Sequence, residues 1–277
     1  MESIISDSYD VTTLLGSSLG LASLLPVTFD YNKNFTLNKY LNVAANVDVD
    51  YTDTKLRYFG VGIRGCYNTT DEVLVSPYHP ARTNMNLYSL VPIRCVPIDE
   101  DLDASTRSLY RMRVVRNIGD TTYVLYYLKL LTFDSTIKYK RVSPITGDEE
   151  AYELEDSDLS PTPVKPTTDS ALASTDSNVI AYCDASLSLE ADEILEYIRA
   201  NFNGDTRYAR ISELGFFTGV DMTVQTKDYQ ENTFNYTEAI NVHLYNHSTW
   251  IGTPLTHSGM KIESTFQILS SGAILSK

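Results

Sequence analysis

Two long β-rich runs flanking one turn limit what this chain can fold into more than any other feature of its sequence. Ser108–Ile118 sets Tyr110, Met112 and Val114 on one face and Arg111, Arg113 and Val115 on the other. Thr121–Phe133 is nearly continuous in apolar and aromatic residues from Thr122 to Leu131. Between them stands Gly119-Asp120, turn chemistry that joins two strands into a hairpin. A strand that is apolar on both faces is one that is covered on both faces. Val124, Tyr126 and Leu128 are therefore expected to be buried in the middle of a sheet. The fold class that follows is mainly β (α+β): an antiparallel sheet or sandwich with long hairpins and one or two amphipathic helices.

Other segments fit that frame. Leu56–Arg64 reads as a strand, with Gly60 and Gly62 at alternate positions where a second backbone can come close. Ile137–Val142 and Ala151–Leu154 read as a smaller hairpin. Ser188 is a candidate cap for a helix carrying Glu190, Asp192 and Glu193 in its first turns. Ala191, Ile194, Leu195, Ile198 and Phe202 form its apolar stripe, and Asn203-Gly204 closes it. Ala209–Phe217, Ala239–Tyr245 and Lys261–Leu269 read as further strands. The organisation expected is an N-terminal arm over 1–30, a β-rich region over 31–155, a Pro/Ser/Thr-rich loop or linker over 156–178, and a helix plus strands over 179–277 packed into the same core. The apolar run Leu14–Leu25, broken by Gly16, Ser17, Ser18, Gly20 and Ser23, reads as an ordered arm or short helix that packs onto something.

Charge and composition narrow the function classes. With 22 Lys and Arg against 36 Asp and Glu, the formal charge is −14, the wrong sign for a nucleic-acid coat or a binder of anionic membranes. No apolar stretch reaches the roughly 18–20 residues needed to span a bilayer. The first residues lack the basic start of a secretory signal, and Cys66, Cys95 and Cys183 have no paired spacing, so synthesis in a reducing cytosol is expected. Tyrosine is the outlier, with 20 residues against 9 Phe and 1 Trp, and it favours half-buried pleated surfaces and interfaces. The four Asn-x-Ser/Thr triplets, at Asn34, Asn68, Asn235 and Asn246, are read as coincidences of an Asn- and Thr-rich chain.

No constellation points to catalysis. Asp99-Glu100-Asp101-Leu102-Asp103 imitates the start of a calcium loop, but Ala104 and Tyr110 stand where its glycine and glutamate belong. The histidine pair His243 and His247 lies in a strand-like run without the glutamate of a zinc-protease motif. Gly60-x-Gly62-x-x-Gly65 matches the dinucleotide string, yet no helix opens after it. The expectation is no catalytic residue, no cofactor and no metal. The arginines Arg107, Arg111, Arg113 and Arg116 follow directly on the acidic loop. Either they pair with that loop or a neighbouring acidic strand, or opposite patches meet between identical subunits.

Two regions resemble the virion structural proteins of tailed bacteriophages. One is Asn86–Leu102 followed by Leu109–Arg113; the other comprises Arg210–Asp221 and Tyr236–Leu244. The resemblance implies a non-enzymatic component of the neck or tail, assembled in the host cytoplasm and resident in the virion. On that reading the chain is a neck or collar subunit at the head-to-tail interface, in a ring of its own copies and in contact with other neck or tail proteins. It has no specific nucleic-acid or membrane partner, and its acidic surface suits a channel through which DNA slides. Alternatives are a baseplate or tail-fibre attachment protein and, from another class, a β-rich carbohydrate-binding or hydrolytic tail protein using exposed Tyr and Trp250. The candidate interface comprises Leu14, Leu15, Leu19, Leu21 and Leu24 of the arm, Arg107, Arg111 and Arg113, and Asp99, Glu100, Asp101 and Asp103.

Overall fold

The computed structural model describes residues 8–25, 35–47, 49, 53–68, 75–143, 146–156, 160, 178–255 and 259–270. Among the described residues there are fifteen strands: β1 (Ser8–Thr12), β2 (Lys55–Gly62), β3 (Cys66–Asn68), β4 (Val75–Pro77), β5 (Leu90–Val91), β6 (Arg94–Pro97), β7 (Tyr110–Ile118), β8 (Thr121–Leu130), β9 (Thr132–Phe133), β10 (Lys138–Val142), β11 (Glu149–Tyr152), β12 (Asn178–Glu190), β13 (Arg210–Lys227), β14 (Thr233–Pro254) and β15 (Lys261–Ser270). Four helices accompany them: α1 (Leu14–Leu24), α2 (Leu37–Leu41), α3 (Ala104–Arg107) and α4 (Ala191–Asn201). The fold is mainly β, and every strand pair with a defined register is antiparallel. Contacts gather into two units, one from 1–131 with 188–262 and one from 132–187 with 263–277.

In the first unit the main sheet runs β1-β14-β13-β2-β8-β6, with β5 on β2 and β7 on β8. The β7–β8 hairpin forms at the Gly119-Asp120 turn, where Gly119 has φ +58. Val124, Tyr126 and Leu128 have no solvent exposure, and all five residues from Val124 to Leu128 are buried. Strand β8 lies inside the sheet, with β7 along one edge while β2 and β6 share the other. Tyr58, Met112, Phe217 and Val242 share a core cluster with its Leu125, Tyr127 and Leu128.

Strands β13 and β14 extend well beyond the segments expected from sequence. At 18 residues β13 would span roughly 60 Å if straight. Three register shifts bend the pair, between Ile211 and Glu213, Phe216 and Phe217, and Thr218 and Val220. The last shift falls opposite Asn241, whose φ is +56. Asn38 of α2 fills the gap in the ladder: its Oδ1 accepts from Val242 N at 2.9 Å and its Nδ2 donates to Ala239 O at 2.8 Å.

The arm is part of this sheet. Strand β1 pairs with β14 from Ser8 opposite Trp250 to Thr12 opposite Asn246. Thr13 caps α1, accepting from Gly16 N at 3.0 Å, and donates its own hydroxyl proton to Leu244 O at 2.6 Å. Gly16 is required here, since a Cβ would sit 2.5 Å from Tyr245 O.

Helix α4 buries the expected Ala191, Ile194, Leu195 and Ile198. Its start differs from expectation, because Ser188 lies in β12, which runs straight into the helix. The first turn is closed instead by Glu193, whose carboxylate accepts from Glu190 N at 2.8 Å.

The second unit holds a sheet in the order β11-β10-β12-β15, with β9 on β12. The small hairpin pairs Tyr139 with Tyr152 and Val142 with Glu149, so its second strand starts two residues before Ala151. Lys140 is buried between Glu149 at 2.6 Å and Gln267. Of the linker expected over 156–178, only Asp156, Ser160 and Asn178 are described residues, and Asn178 opens β12.

Candidate functional site: buried carboxylates and the surfaces they hold

The most unusual chemistry in the first unit is a set of carboxylates inside the sheet. Glu213 of β13 has no solvent exposure. Its Oε1 accepts from Arg64 N and Ser89 N, each at 3.1 Å, and its Oε2 from Tyr88 N at 2.6 Å. His247 Nε2 lies 3.2 Å from the same Oε2, and Asn84 Nδ2 lies 3.0 Å from His247 Nδ1. Glu213 thus does what a neighbouring strand would do for the loops at 63–65 and 88–89. The glycine string has its explanation here: a Cβ on Gly62 would lie 2.6 Å from Glu213 Oε1, and one on Gly65 would lie 2.0 Å from Ser212 O. The spacing serves close packing of backbone on carboxylate and strand.

Glu238 of β14 repeats the device. Met112, at φ +60, kinks β7 so that Met112 N and Arg113 N point together at the carboxylate, at 2.6 and 2.9 Å. Burial pushes the Glu238 carboxyl above its ordinary range, while the N–H groups of Arg113, Met112 and Ala239 pull the other way. Glu193 accepts from the Tyr110 hydroxyl and pairs with Lys129 at 2.9 Å.

The arginine run resolves into pairs within the chain. Arg111 grips Asp221 with two bonds, of 2.7 and 3.0 Å. Burial works against the Asp221 charge, but the Arg111 bonds and charge prevail and hold its carboxyl below the usual range. Arg113 reaches Asp101 at 2.8 Å, Arg107 lies 3.7 Å from the same oxygen and donates to Leu102 O, and the Tyr126 hydroxyl donates to Asp101 Oδ1 at 2.6 Å. Asp103 caps α3, accepting from Ser105 N and Thr106 N at 2.9 and 3.1 Å. Asp99, Glu100 and Arg116 are exposed. The first alternative for the arginines, pairing with the acidic loop and an acidic strand, describes these contacts.

Both strand histidines are buried. His243 Nδ1 sits 3.0 Å from Asn241 O, and burial pushes its imidazole down to about 4. The unfolded chain takes up a proton on this ring near pH 6.5, which the folded chain refuses until about 4. Stability is therefore expected to fall as pH drops from about 6.5 towards 4, by roughly 2–3 kcal/mol. Urea titrations at pH 7 and 4.5 on wild type and His243→Gln check this; an equally steep loss in the variant would assign the acid sensitivity elsewhere.

Among the described residues no three His, Cys, Asp or Glu side chains gather as metal ligands, and no helix is long and apolar enough to cross a membrane. Trp250 is half-buried, its indole N–H donating to Thr253 Oγ1 at 3.3 Å. The remaining distinctive surface is on α1. Leu14, Leu21 and Leu25 are 49%, 57% and 50% exposed, while Leu15 and Leu19 are half-buried.

A family model described as a family of unknown function (DUF7208) matches residues 1–275. The chain belongs to that family. No curated protein and no solved structure matches it. For this DUF7208 chain, sequence reasoning located the arginine run, the acidic loop and the arm. It missed Glu213 and Glu238: Glu213 is the lone carboxylate in the strand-like run Ala209–Phe217, while Glu238 stands one residue before the run Ala239–Tyr245. In the DUF7208 fold these two residues hold irregular backbone in place.

Proposed function

We propose that the chain is a structural subunit of a tailed-bacteriophage virion, assembling with its own copies into a ring at the head-to-tail interface, and that α1 carries the subunit contact. The outward face of α1 carries this reading. Leu14, Ser18 and Leu21 follow the four–three spacing of a helix seam, Leu25 caps the helix end with its N–H on Leu21 O, and the three leucines are exposed. The inner side of the same helix is fixed to β14 through Thr13 and Gly16, so the leucines are presented by a rigid support. Apolar side chains held outward in this way favour a second surface that covers them. Heterologous contacts repeated around an axis close into a ring. The setting comes from the likeness of Asn86–Leu102, Leu109–Arg113, Arg210–Asp221 and Tyr236–Leu244 to phage virion proteins. The net charge of −14 suits a part past which DNA slides.

Deleting residues 1–26 would remove the β1 edge strand along with the leucines, so point changes isolate the surface. The triple variant Leu14→Ser, Leu21→Ser, Leu25→Ser should keep its melting temperature within a few degrees. It should also run as a monomer in light scattering and fail to enter particles in a complementation assay. Unimpaired incorporation of the triple variant would reject α1 as the contact.

A further inference from the structure

We infer that the first unit carries a binding platform for neutral saccharides, made by Tyr67, Tyr78 and Tyr88. The three rings are 42%, 43% and 45% exposed and touch in series, with centroids 4.8 Å apart from Tyr67 to Tyr78 and 5.6 Å apart from Tyr78 to Tyr88. Three solvent-facing rings in one contiguous patch are more than scattered surface exposure.

The patch is rigidly supported. Tyr78 N donates to Gly65 O at 2.8 Å, and Tyr78 O accepts from the buried Thr249 hydroxyl at 2.5 Å. Tyr88 N is held by buried Glu213, and the Tyr88 ring rests on buried His247 at 5.0 Å between centroids. Buried Glu213 and His247 thus support Tyr88, and buried Thr249 holds the backbone of Tyr78. Aromatic rings already fixed in place bind at low conformational cost.

The chemistry of the rim selects the ligand class. In a chain with an excess of carboxylates, 75–89 contains no Asp or Glu, and its one arginine, Arg82, donates to Ser17 Oγ at 3.2 Å. The hydroxyls of Tyr67 and Tyr78 make no hydrogen bond to a described residue, whereas that of Tyr88 donates to His79 O at 3.2 Å. Uncharged rings with two available hydroxyls suit a ligand having an apolar C–H face and neutral hydroxyl edges, which describes a sugar ring. A run of adjoining rings further suits an oligosaccharide over a single sugar.

The test screens the full chain against an array of neutral oligosaccharides comprising glucans, galactans and N-acetylhexosamine oligomers. The best binder is then titrated by calorimetry. Binding is expected, with Tyr78→Ala and Tyr67→Ala each weakening it about tenfold, or about 1.4 kcal/mol. Tyr78→Phe should retain most of the affinity. Tyr229→Ala, at a tyrosine 52% exposed elsewhere, should leave it unchanged. Thermal melts confirm that the variants fold, and saturation-transfer NMR on wild type should label sugar C–H protons when aromatic protons are irradiated. No binding to any neutral glycan, binding confined to charged glycans, or affinity unaffected in both alanine variants would overturn the inference. The platform and the α1 contact are tested at different residues, so neither glycan binding nor its loss decides ring assembly.

Discussion

Glu213→Leu should abolish cooperative folding or come close to it. Leucine is similar in bulk to glutamate and apolar, so the site does not empty; what disappears is the acceptor. Arg64 N, Tyr88 N and Ser89 N would be left facing hydrocarbon, and His247 would lose its partner. These bonds are part-buried, so each donor left without an acceptor costs at most about 1–3 kcal/mol, the figure for a fully buried group. Three of them together approach the whole stability of a typical domain, about 5–15 kcal/mol. Glu213→Gln keeps one acceptor oxygen but turns an amide N–H₂ towards a donor, so an intermediate loss is expected. Circular dichroism through a urea titration reads all three proteins. A leucine variant with a midpoint near that of wild type would show that the loops do not depend on this carboxylate.

The second large effect is expected at Tyr126→Asp. Tyr126 has no solvent exposure, and its hydroxyl meets Asp101 at 2.6 Å. Aspartate there replaces a large ring with a small charged group, leaving a void and an uncompensated carboxylate in the middle of β8. An unpaired charge in such a place costs several kcal/mol, and the lost ring about 3–5 kcal/mol more. Tyr126→Phe, by contrast, removes one hydrogen bond and should cost about 1 kcal/mol, or somewhat more because the acceptor is ionised. If the aspartate variant melts within a degree or two of wild type, β8 is not central to the fold.

These two positions also mark the limits of what the sequence discloses. Tyr126 was legible because a run apolar on both faces has only one comfortable place, the middle of a sheet. The α4 stripe was legible for the equivalent reason at helical period. The far ends of β13 and β14 were not, since Thr223–Lys227 has Val224 as its one apolar residue, and the alternation of Phe234 and Tyr236 in Thr233–Thr237 is too short to stand alone. Their pairing is dictated by each other, from Thr223 opposite Thr237 to Lys227 opposite Thr233. Glu190 and Glu193 were read as partners of the helix dipole, yet Glu193 also closes the first turn on Glu190 N and receives Lys129 from a distant strand. Glu213 and Glu238 were silent because an acceptor in a strand reveals nothing of the distant backbone it will serve. The two contact units were equally hidden: each is assembled from separate stretches of chain, whereas composition shifts along the sequence suggest consecutive ones.

The pairing of β1 with β14 imposes an order of events. Ser8 faces Trp250 and Thr13 bonds to Leu244 O, so the first described strand cannot settle until the segment Leu244–Trp250 has left the ribosome. Contacts so distant in sequence are slow to form, because closing the loop costs entropy before pairing returns anything. The leucines of α1 acquire their fixed outward setting only at that moment. On the proposed assembly, nascent and half-folded chains would lack the finished docking face, and subunits would join only after each had completed its own sheet. In that ring a single late strand pairing would serve as a proofreading step between synthesis and assembly.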